Sequence, residues 1–139
     1  MTALVDAAAE TAFAFLSDPH ALGRWSLGCF DTKSADETGL YAGVSLFDRT
    51  PGFCRIEPHP ALNLVDYRIG TPERLVARIS ARVVPHHICD LRPDQCYVTL
   101  TAWRPATMKD ERWERLCATH EAEIWLIKAQ IETGGRRGG

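Results

Sequence analysis

One histidine lies on the apolar face of a helical pattern near the end of this 139-residue chain. His120 follows Cys117 by three positions and precedes Ile124 by four, a spacing that places all three side chains on one face of an α-helix. Because histidine titrates near neutral pH, an inward-facing one could act as a general acid or base. The alternative is a core histidine that bonds a backbone carbonyl or a water. The choice depends on what His120 faces.

Two predicted strands carry the other candidate acid–base groups. Asp48 alternates in phase with Val44 and Leu46, which predicts an inward-facing carboxylate with a raised pKa. Tyr67 alternates in phase with Val65, so we expect its ring in the core or in a cavity, where its hydroxyl could bind a ligand oxygen. The alternatives are a solvated strand end for Asp48 and a structural role for Tyr67.

A metal site is not predicted from the group formed by His86, His87, Cys89 and Cys96. Adjacent histidines on a strand point to opposite faces, and closed zinc sites use paired short ligand motifs that this segment lacks. The sequence also contains no Gly-x-Ser-x-Gly motif, no P-loop and no dinucleotide-binding glycine motif. We therefore expect chemistry without a metal or a cofactor, and we assign no role to His59.

These groups need a scaffold, and the pattern along the chain predicts a mixed α and β order. Residues 3–6 leave room for one short strand, and residues 7–16 form a short helix of good helix formers. A second short helix over 19–25 has Asp18 as N-cap and Pro19 at its first position. Gly and Pro turns then separate five predicted strands at 41–49, 52–58, 62–69, 75–84 and 96–104. Connections this short favour antiparallel neighbours.

Arginines are placed by the same alternation. The strand at 75–84 carries apolar side chains on one face, with Arg78 and Arg82 on the other, so we expect both arginines to face solvent. Arg49 or Arg55 could instead hold a substrate carboxylate, because a guanidinium can bind a carboxylate through two hydrogen bonds.

The last predicted element is a long amphipathic helix. Thr107 and Asp110 fit a capping box, and Gly134 with Gly135 supplies a stop. We expect one domain over residues 1–133 and a disordered tail over 134–139. The apolar face of the helix carries residues at helical spacing: Trp113, Leu116, Cys117, His120, Ile124, Ile127 and Ile131.

Composition excludes several classes of function. Sixteen Lys and Arg against eighteen Asp and Glu give a net charge of −2, and the arginines are spread along the chain, which argues against a nucleic-acid partner. No apolar run reaches the roughly 18 residues that cross a bilayer, and the first residues lack signal-peptide features. Five cysteines without framework spacing indicate reduced thiols. We expect a cytoplasmic protein without membrane insertion.

The order of the elements and several short motifs resemble the helix-grip fold of the START and pollen-allergen-like superfamily, often called SRPBCC. The motifs are TAFAFLSDP at 11–19 with Trp25 six residues later, LVDYRIG at 64–70, VTLT at 98–101, and the final helix. The resemblance covers nearly the whole chain and is strongest to the small bacterial polyketide cyclase/dehydrase branch. The first strand is shorter than in the family pattern, so the sequence does not determine the arrangement at that edge of the sheet.

This resemblance implies a curved antiparallel sheet wrapped around the long C-terminal helix, with a cavity between them. Members bind lipids, sterols, polyketides or small aromatic compounds, and some catalyse cyclisation, dehydration or hydrolysis. The chain would then bind a small hydrophobic or aromatic molecule and catalyse a cofactor-free cyclisation, dehydration or other lyase step. His120 or Asp48 would move the proton, with Tyr67 as a third candidate. Residues expected to line the cavity are Trp25, Phe47, Tyr97, Trp103, Trp113, Cys117 and Ile124.

Two alternatives to an enzyme stay open at this point. One is a non-catalytic carrier or sensor of the same kind of ligand, and the other is a protein-interaction module. Fold alone does not choose among them, although an inward-facing histidine favours the enzyme. An exposed edge strand, or a second aromatic face of the last helix at Trp125 and Leu126, could support a homodimer.

Overall fold

The computed structural model describes residues 1–137, which form one seven-stranded antiparallel sheet and three α-helices. Two single-turn 3₁₀ helices, Pro60–Leu62 and His86–Ile88, lie in connections between strands. The elements in chain order are β1 (Thr2–Val5), α1 (Ala9–Ser17), α2 (Pro19–Trp25), β2 (Phe30–Ser34), β3 (Leu40–Val44), β4 (Pro51–His59), β5 (Leu64–Thr71), β6 (Arg74–Val84), β7 (Cys96–Ala102) and α3 (Asp110–Arg137).

The strand order across the sheet is β1-β7-β6-β5-β4-β3-β2. Strands β2 to β7 therefore pair with their neighbours in sequence, as short connections require, and only β1 crosses to pair with β7 at one edge. The curved sheet, the long C-terminal helix and the short N-terminal helices together form the predicted helix-grip fold, of class α+β. The α2 start is also as predicted, because the Asp18 side chain accepts a hydrogen bond from the backbone N–H of His20.

The core joins one half of α3 to β1, α1 and the central strands. Ile127 is fully buried among side chains that include Val5, Leu16 and Val98. These residues come from four different elements, so burying them holds the helices on the concave face of the sheet.

Two differences from the predicted elements affect the candidate site. Strand β2 was not predicted, because its five residues form an exposed edge strand that pairs only with β3. The predicted strand over 41–49 ends early, at Val44. A turn follows it, in which Arg49 adopts a positive φ of 62°, outside the range of regular strand backbone.

Helix α3 continues through Gly134 and Gly135 to Arg137, past the predicted stop. Glycine disfavours a helix by only about 1 kcal/mol relative to alanine, so two glycines do not by themselves end it. Residues 138 and 139 of the predicted tail lie outside the described residues. Among residues 1–137, no helix is both long and apolar enough to cross a membrane. Trp125 is exposed on the outer face of α3, and the homodimer suggested there stays a prediction.

Candidate functional site

A cavity of about 280 Å³ lies between the first half of α3 and the concave face of the sheet. Strands β4, β5 and β6 form its floor, and the segments that follow α2 and β3 close its sides. Its wall is mainly apolar and aromatic, with Trp25, Phe53, Ile69 and Leu116 among its members. This is the cavity that the helix-grip resemblance implied.

His120 and Glu123 bring two buried ionisable groups into that wall from adjacent turns of α3. The His120 Nε2 atom lies 3.7 Å from Glu123 Oε1, which is beyond hydrogen-bonding distance. Burial, with smaller contributions from the Met1 amino group and Arg78, lowers the pKa of His120 to about 4. Near neutral pH this histidine is therefore an uncharged imidazole, which is a weak base and a hydrogen-bonding group rather than a proton donor.

The pKa of Glu123 is shifted in the opposite direction to that of His120. Burial raises the pKa of its carboxyl to about 7, although the backbone N–H of Leu27, which donates to Oε2 at 2.9 Å, lowers it in part. A carboxyl with this pKa exchanges protons readily at neutral pH. Sequence analysis missed Glu123, yet its position three residues after His120 and four before Ile127 places it on the same helix face.

Tyr67 faces inward, as alternation along β5 predicted. Its ring lines the cavity and packs edge-on against Trp25 with centroids 5.6 Å apart. Its hydroxyl donates to the carbonyl oxygen of Leu16 at 2.6 Å, and burial raises the pKa of the phenol well above its ordinary value. This hydrogen bond links α1 to β5. Because the hydroxyl proton is already donated to a backbone carbonyl, the contact favours a structural role for Tyr67.

Asp48 does not lie on an inward strand face, and that prediction was wrong. The residue is exposed in the turn after β3, at the rim of the cavity, because the strand ends before alternation reaches it. Its carboxylate accepts hydrogen bonds from the hydroxyl and the backbone N–H of Thr50, at 2.7 and 3.0 Å. These bonds lower the pKa of Asp48 rather than raise it, which does not suit a proton donor near neutral pH.

Five of the seven predicted ligand-binding residues fall into three groups. Trp25 and Phe47 line the cavity, with Phe47 half exposed at its rim beneath the Arg115 guanidinium. Trp113 and Cys117 line a second cavity of about 260 Å³ beside β7, which has His120 in common with the first. Ile124 is buried in the closed core and lines neither cavity.

Tyr97 and Trp103 line neither of these two cavities, although both were predicted to face a cavity. In β7 the inward positions belong to Cys96, Val98 and Leu100, which puts Tyr97 on the opposite face of the sheet. Trp103 follows the end of the strand and is 65% exposed. Aromatic character alone did not distinguish a cavity residue from an outer-face residue.

Arg78 lines the cavity instead of facing solvent, and a β-bulge is the reason. Tyr67 pairs with Ile79 and Arg68 pairs with Ala77, so Arg78 is an extra residue on β6 with no partner in β5. A bulge of this kind interrupts the alternation and redirects a side chain. Arg49 and Arg55, the two arginines considered as carboxylate ligands, are not part of the cavity wall.

Two thiols also line the cavity. Burial raises the pKa of Cys29 to about 11 and raises that of Cys54 further. Both are free cysteines that stay protonated at neutral pH, so neither is an activated nucleophile.

Within residues 1–137, one group of side chains could bring three metal-ligand atoms together: Glu57, His59 and Asp66. They lie on the outer face of β4 and β5, away from the cavity. Glu57 pairs with Arg68 at 2.5 Å and His59 pairs with Asp66 at 3.2 Å, so ordinary cross-strand pairing accounts for the cluster.

No protein-family model and no curated protein sequence matches this chain. Solved structures match it over almost its full length. A START superfamily protein from Mycobacterium smegmatis has a TM-score of 0.66 and 17% identity, covering 96% of this chain and 95% of that one. The Aha1 dimer from Colwellia psychrerythraea has a TM-score of 0.64 and 16% identity, covering 96% and 95%.

The di-domain ARO/CYC protein BexL from the BE-7585A biosynthetic pathway is a further match. Its TM-score is 0.67 at 17% identity, and the match covers 95% of this chain but only 45% of BexL. Identities this low show a common fold and nothing finer. The chain therefore has the START-like helix-grip fold that its motifs resembled, a fold built around a ligand-sized cavity.

Proposed function

We propose that this protein binds a small, mostly apolar aromatic or polyketide-like molecule in the cavity beneath α3 and acts on it by cofactor-free acid–base chemistry. The observation that carries the proposal is Glu123, a buried carboxyl with a pKa of about 7 beside a buried neutral histidine in the cavity wall. Aromatic walls with few polar groups are typical of small-molecule sites. Fold similarity to an ARO/CYC protein supports the same class of ligand.

The two groups suit a dehydration or a related lyase step. Protonated Glu123 would donate its proton to a leaving hydroxyl, and neutral His120 would accept a proton from the adjacent carbon. The C–O and C–H bonds break, a double bond forms and water leaves. Since the two side chains are 3.7 Å apart, a small movement lets the imidazolium return its proton to the carboxylate and restore the starting state.

A second candidate is a non-catalytic carrier or sensor of the same ligand, and a specific contact favours it. Glu123 Oε2 already accepts the backbone N–H of Leu27, so this carboxyl also fixes α3 to the segment that follows α2. On this interpretation the buried polar groups serve packing and ligand orientation, and the bound molecule leaves unchanged.

Identification of the bound molecule comes first in the experimental test. Native mass spectrometry of the purified protein, with a denatured control, detects any small molecule retained in the cavity. Incubation of that molecule with the protein then distinguishes conversion from simple binding. Unchanged ligand after incubation with the wild-type protein would favour the carrier.

If the protein converts the bound molecule, substitutions can identify the residues that carry out the reaction. We expect Glu123→Gln to lower turnover by about 10²–10⁴-fold while ligand binding persists, the usual effect of losing a general acid. Glu121→Gln is the matched control, since Glu121 is exposed on the same helix. His120→Gln tests the base, and Asp48→Asn tests the sequence-based assignment of that carboxylate. Full activity in Glu123→Gln would contradict the proposed mechanism.

A further inference from the structure

Two buried nitrogen atoms in residues of the cavity wall have no hydrogen-bond partner among the described residues. They are Trp25 Nε1 and Arg78 Nη1, and both are donors. Trp25 is only 3% exposed, so water has little access to its ring nitrogen from outside. A buried donor without an acceptor is unfavourable, and both of these donors belong to residues that line the cavity, so a ligand bound there could supply the acceptor oxygens.

The position of Arg78 depends on a local irregularity rather than on the general pattern of β6. Regular alternation would send its side chain to the outer face, where Arg82 lies exposed. The bulge opposite Tyr67 and Arg68 adds the residue that brings this guanidinium to the cavity instead. Bulges that redirect side chains are frequent beside functional sites.

The charges around the cavity favour an anion. Arg112 and Arg115 of α3 join Arg78 in its wall, against two carboxyl groups, Asp48 and Glu123. The Asp48 carboxylate is exposed and accepts hydrogen bonds from Thr50, and Glu123 is partly protonated near neutral pH. Burial and the charge of Arg112 both lower the pKa of Arg78, as expected for a cation close to another cation.

We propose that the ligand is an organic carboxylate, whose oxygens accept hydrogen bonds from the Arg78 guanidinium and from the Trp25 indole N–H. A guanidinium matches a planar carboxylate with two parallel hydrogen bonds, and the cavity supplies an apolar wall for the remainder of the molecule. An anion bound there also favours the protonated form of Glu123, which is the form that donates a proton. This inference rests on the proposed function, because it names the ligand class of the same cavity.

A pair of matched probes tests the inference. 2-Naphthoate and 2-naphthamide have the same ring system and differ in the charge of one substituent. With isothermal titration calorimetry near neutral pH, we expect the wild-type protein to bind 2-naphthoate about tenfold or more tightly than 2-naphthamide, the effect of one charge-assisted hydrogen bond or more. Arg78→Gln should remove most of this preference, and Arg82→Gln, on the same strand but exposed, should retain it.

Two further variants keep the test valid if Arg78→Gln folds poorly. Arg78→Lys keeps the charge but loses the paired donors, so we expect a reduced preference for 2-naphthoate. Trp25→Phe removes one donor and should weaken 2-naphthoate by about threefold, with 2-naphthamide affected less. Equal binding of the two probes to the wild type would overturn this inference and leave the proposed function standing. Failure of both probes to bind would overturn the two together.

Discussion

The second half of α3 packs on a closed core, whereas its first half covers a cavity. Ile124, Ile127 and Ile131 are each at most 3% exposed and belong to the hydrophobic core. Polar contacts fasten the same segment, since Lys128 Nζ donates to the Leu4 carbonyl at 2.6 Å and Gln130 Nε2 donates to the Arg24 carbonyl at 2.9 Å. This half of the helix is held against β1 and α2.

The first half buries polar groups instead. Thr119, His120 and Glu123 are each at most 8% exposed, and they face the cavity. Both halves have inward-facing residues at the same helical spacing. Periodicity therefore identifies the buried face of α3, but it does not distinguish a face that packs on the core from one that lines a cavity. The polar residues on that face mark the part of α3 that lines the cavity instead of packing in the hydrophobic core.

The largest expected effect comes from Ile127→Ala. Removal of a fully buried side chain from the closed core should lower the free energy of unfolding by about 2–5 kcal/mol. Leu116→Ala in the first half should lower it by about 1 kcal/mol or less, because Leu116 already borders both cavities. Urea denaturation measures both, with the exposed Trp125→Ala as control. Equal losses at the two positions would contradict the contrast between the halves.

The second expected effect is a pair of opposite pH dependences in the first half. The folded-state pKa of Glu123, about 7, lies above its ordinary value of 4.5, so stability falls as pH rises from about 4.5 to 7. The folded-state pKa of His120, about 4, lies below its ordinary 6.5, so stability is lost as pH falls from about 6.5 to 4. Each shift corresponds to a free energy on the order of 3 kcal/mol.

These contributions nearly cancel in the wild-type protein between about pH 4.5 and 6.5, and single variants should separate them. In Glu123→Gln only the histidine remains, so the free energy of unfolding should rise with pH across this range. In His120→Gln it should fall with pH, up to about pH 7. Urea denaturation at several pH values measures the slopes. Parallel profiles for the two variants would show that one of the groups is not buried as described.

The smallest expected effect concerns the boundary between core and cavity. Tyr67→Phe removes the hydrogen bond to the Leu16 carbonyl and should lower the free energy of unfolding by about 1–2 kcal/mol. Tyr97→Phe, on the outer face of the sheet, serves as the matched control and should change stability by less than about 0.5 kcal/mol. Probe binding should persist in both variants. A large loss of probe binding in Tyr67→Phe alone would place the hydroxyl in the ligand site instead.

Much of the fold was predictable because local signals and tertiary packing agree. Asp18 with Pro19 marks the start of α2, and turns rich in Gly and Pro separate the central strands. Strand β2 escaped prediction because an exposed edge strand needs little apolar periodicity. The turn after Val44 was not predicted either, since Leu46 keeps the alternation of Val44 although the strand has already ended.

The candidate site was predictable only in part. His120 and the ring of Tyr67 face inward because each follows the period of its own element. Arg78 breaks the period of β6 at a bulge that depends on pairing with β5, and no local residue pattern marks that register shift. Glu123 keeps the helical period, but glutamate is seldom buried, so its residue type did not mark it as part of the inward face.

Local signals in the sequence predicted the α+β class, most of the order of elements and the inward face of α3, because hydrophobic periodicity and turn residues act locally. The helix-grip arrangement of those elements was implied by the resemblance to known proteins. Which polar groups share one cavity depends on tertiary contacts: Glu123 and Arg78 line the cavity, and Asp48 lies at its rim. Strand register and the separation of helix from sheet arise from contacts between segments that are distant in the sequence, so local patterns do not predict them. Those contacts also set the burial that shifts the pKa values of His120 and Glu123.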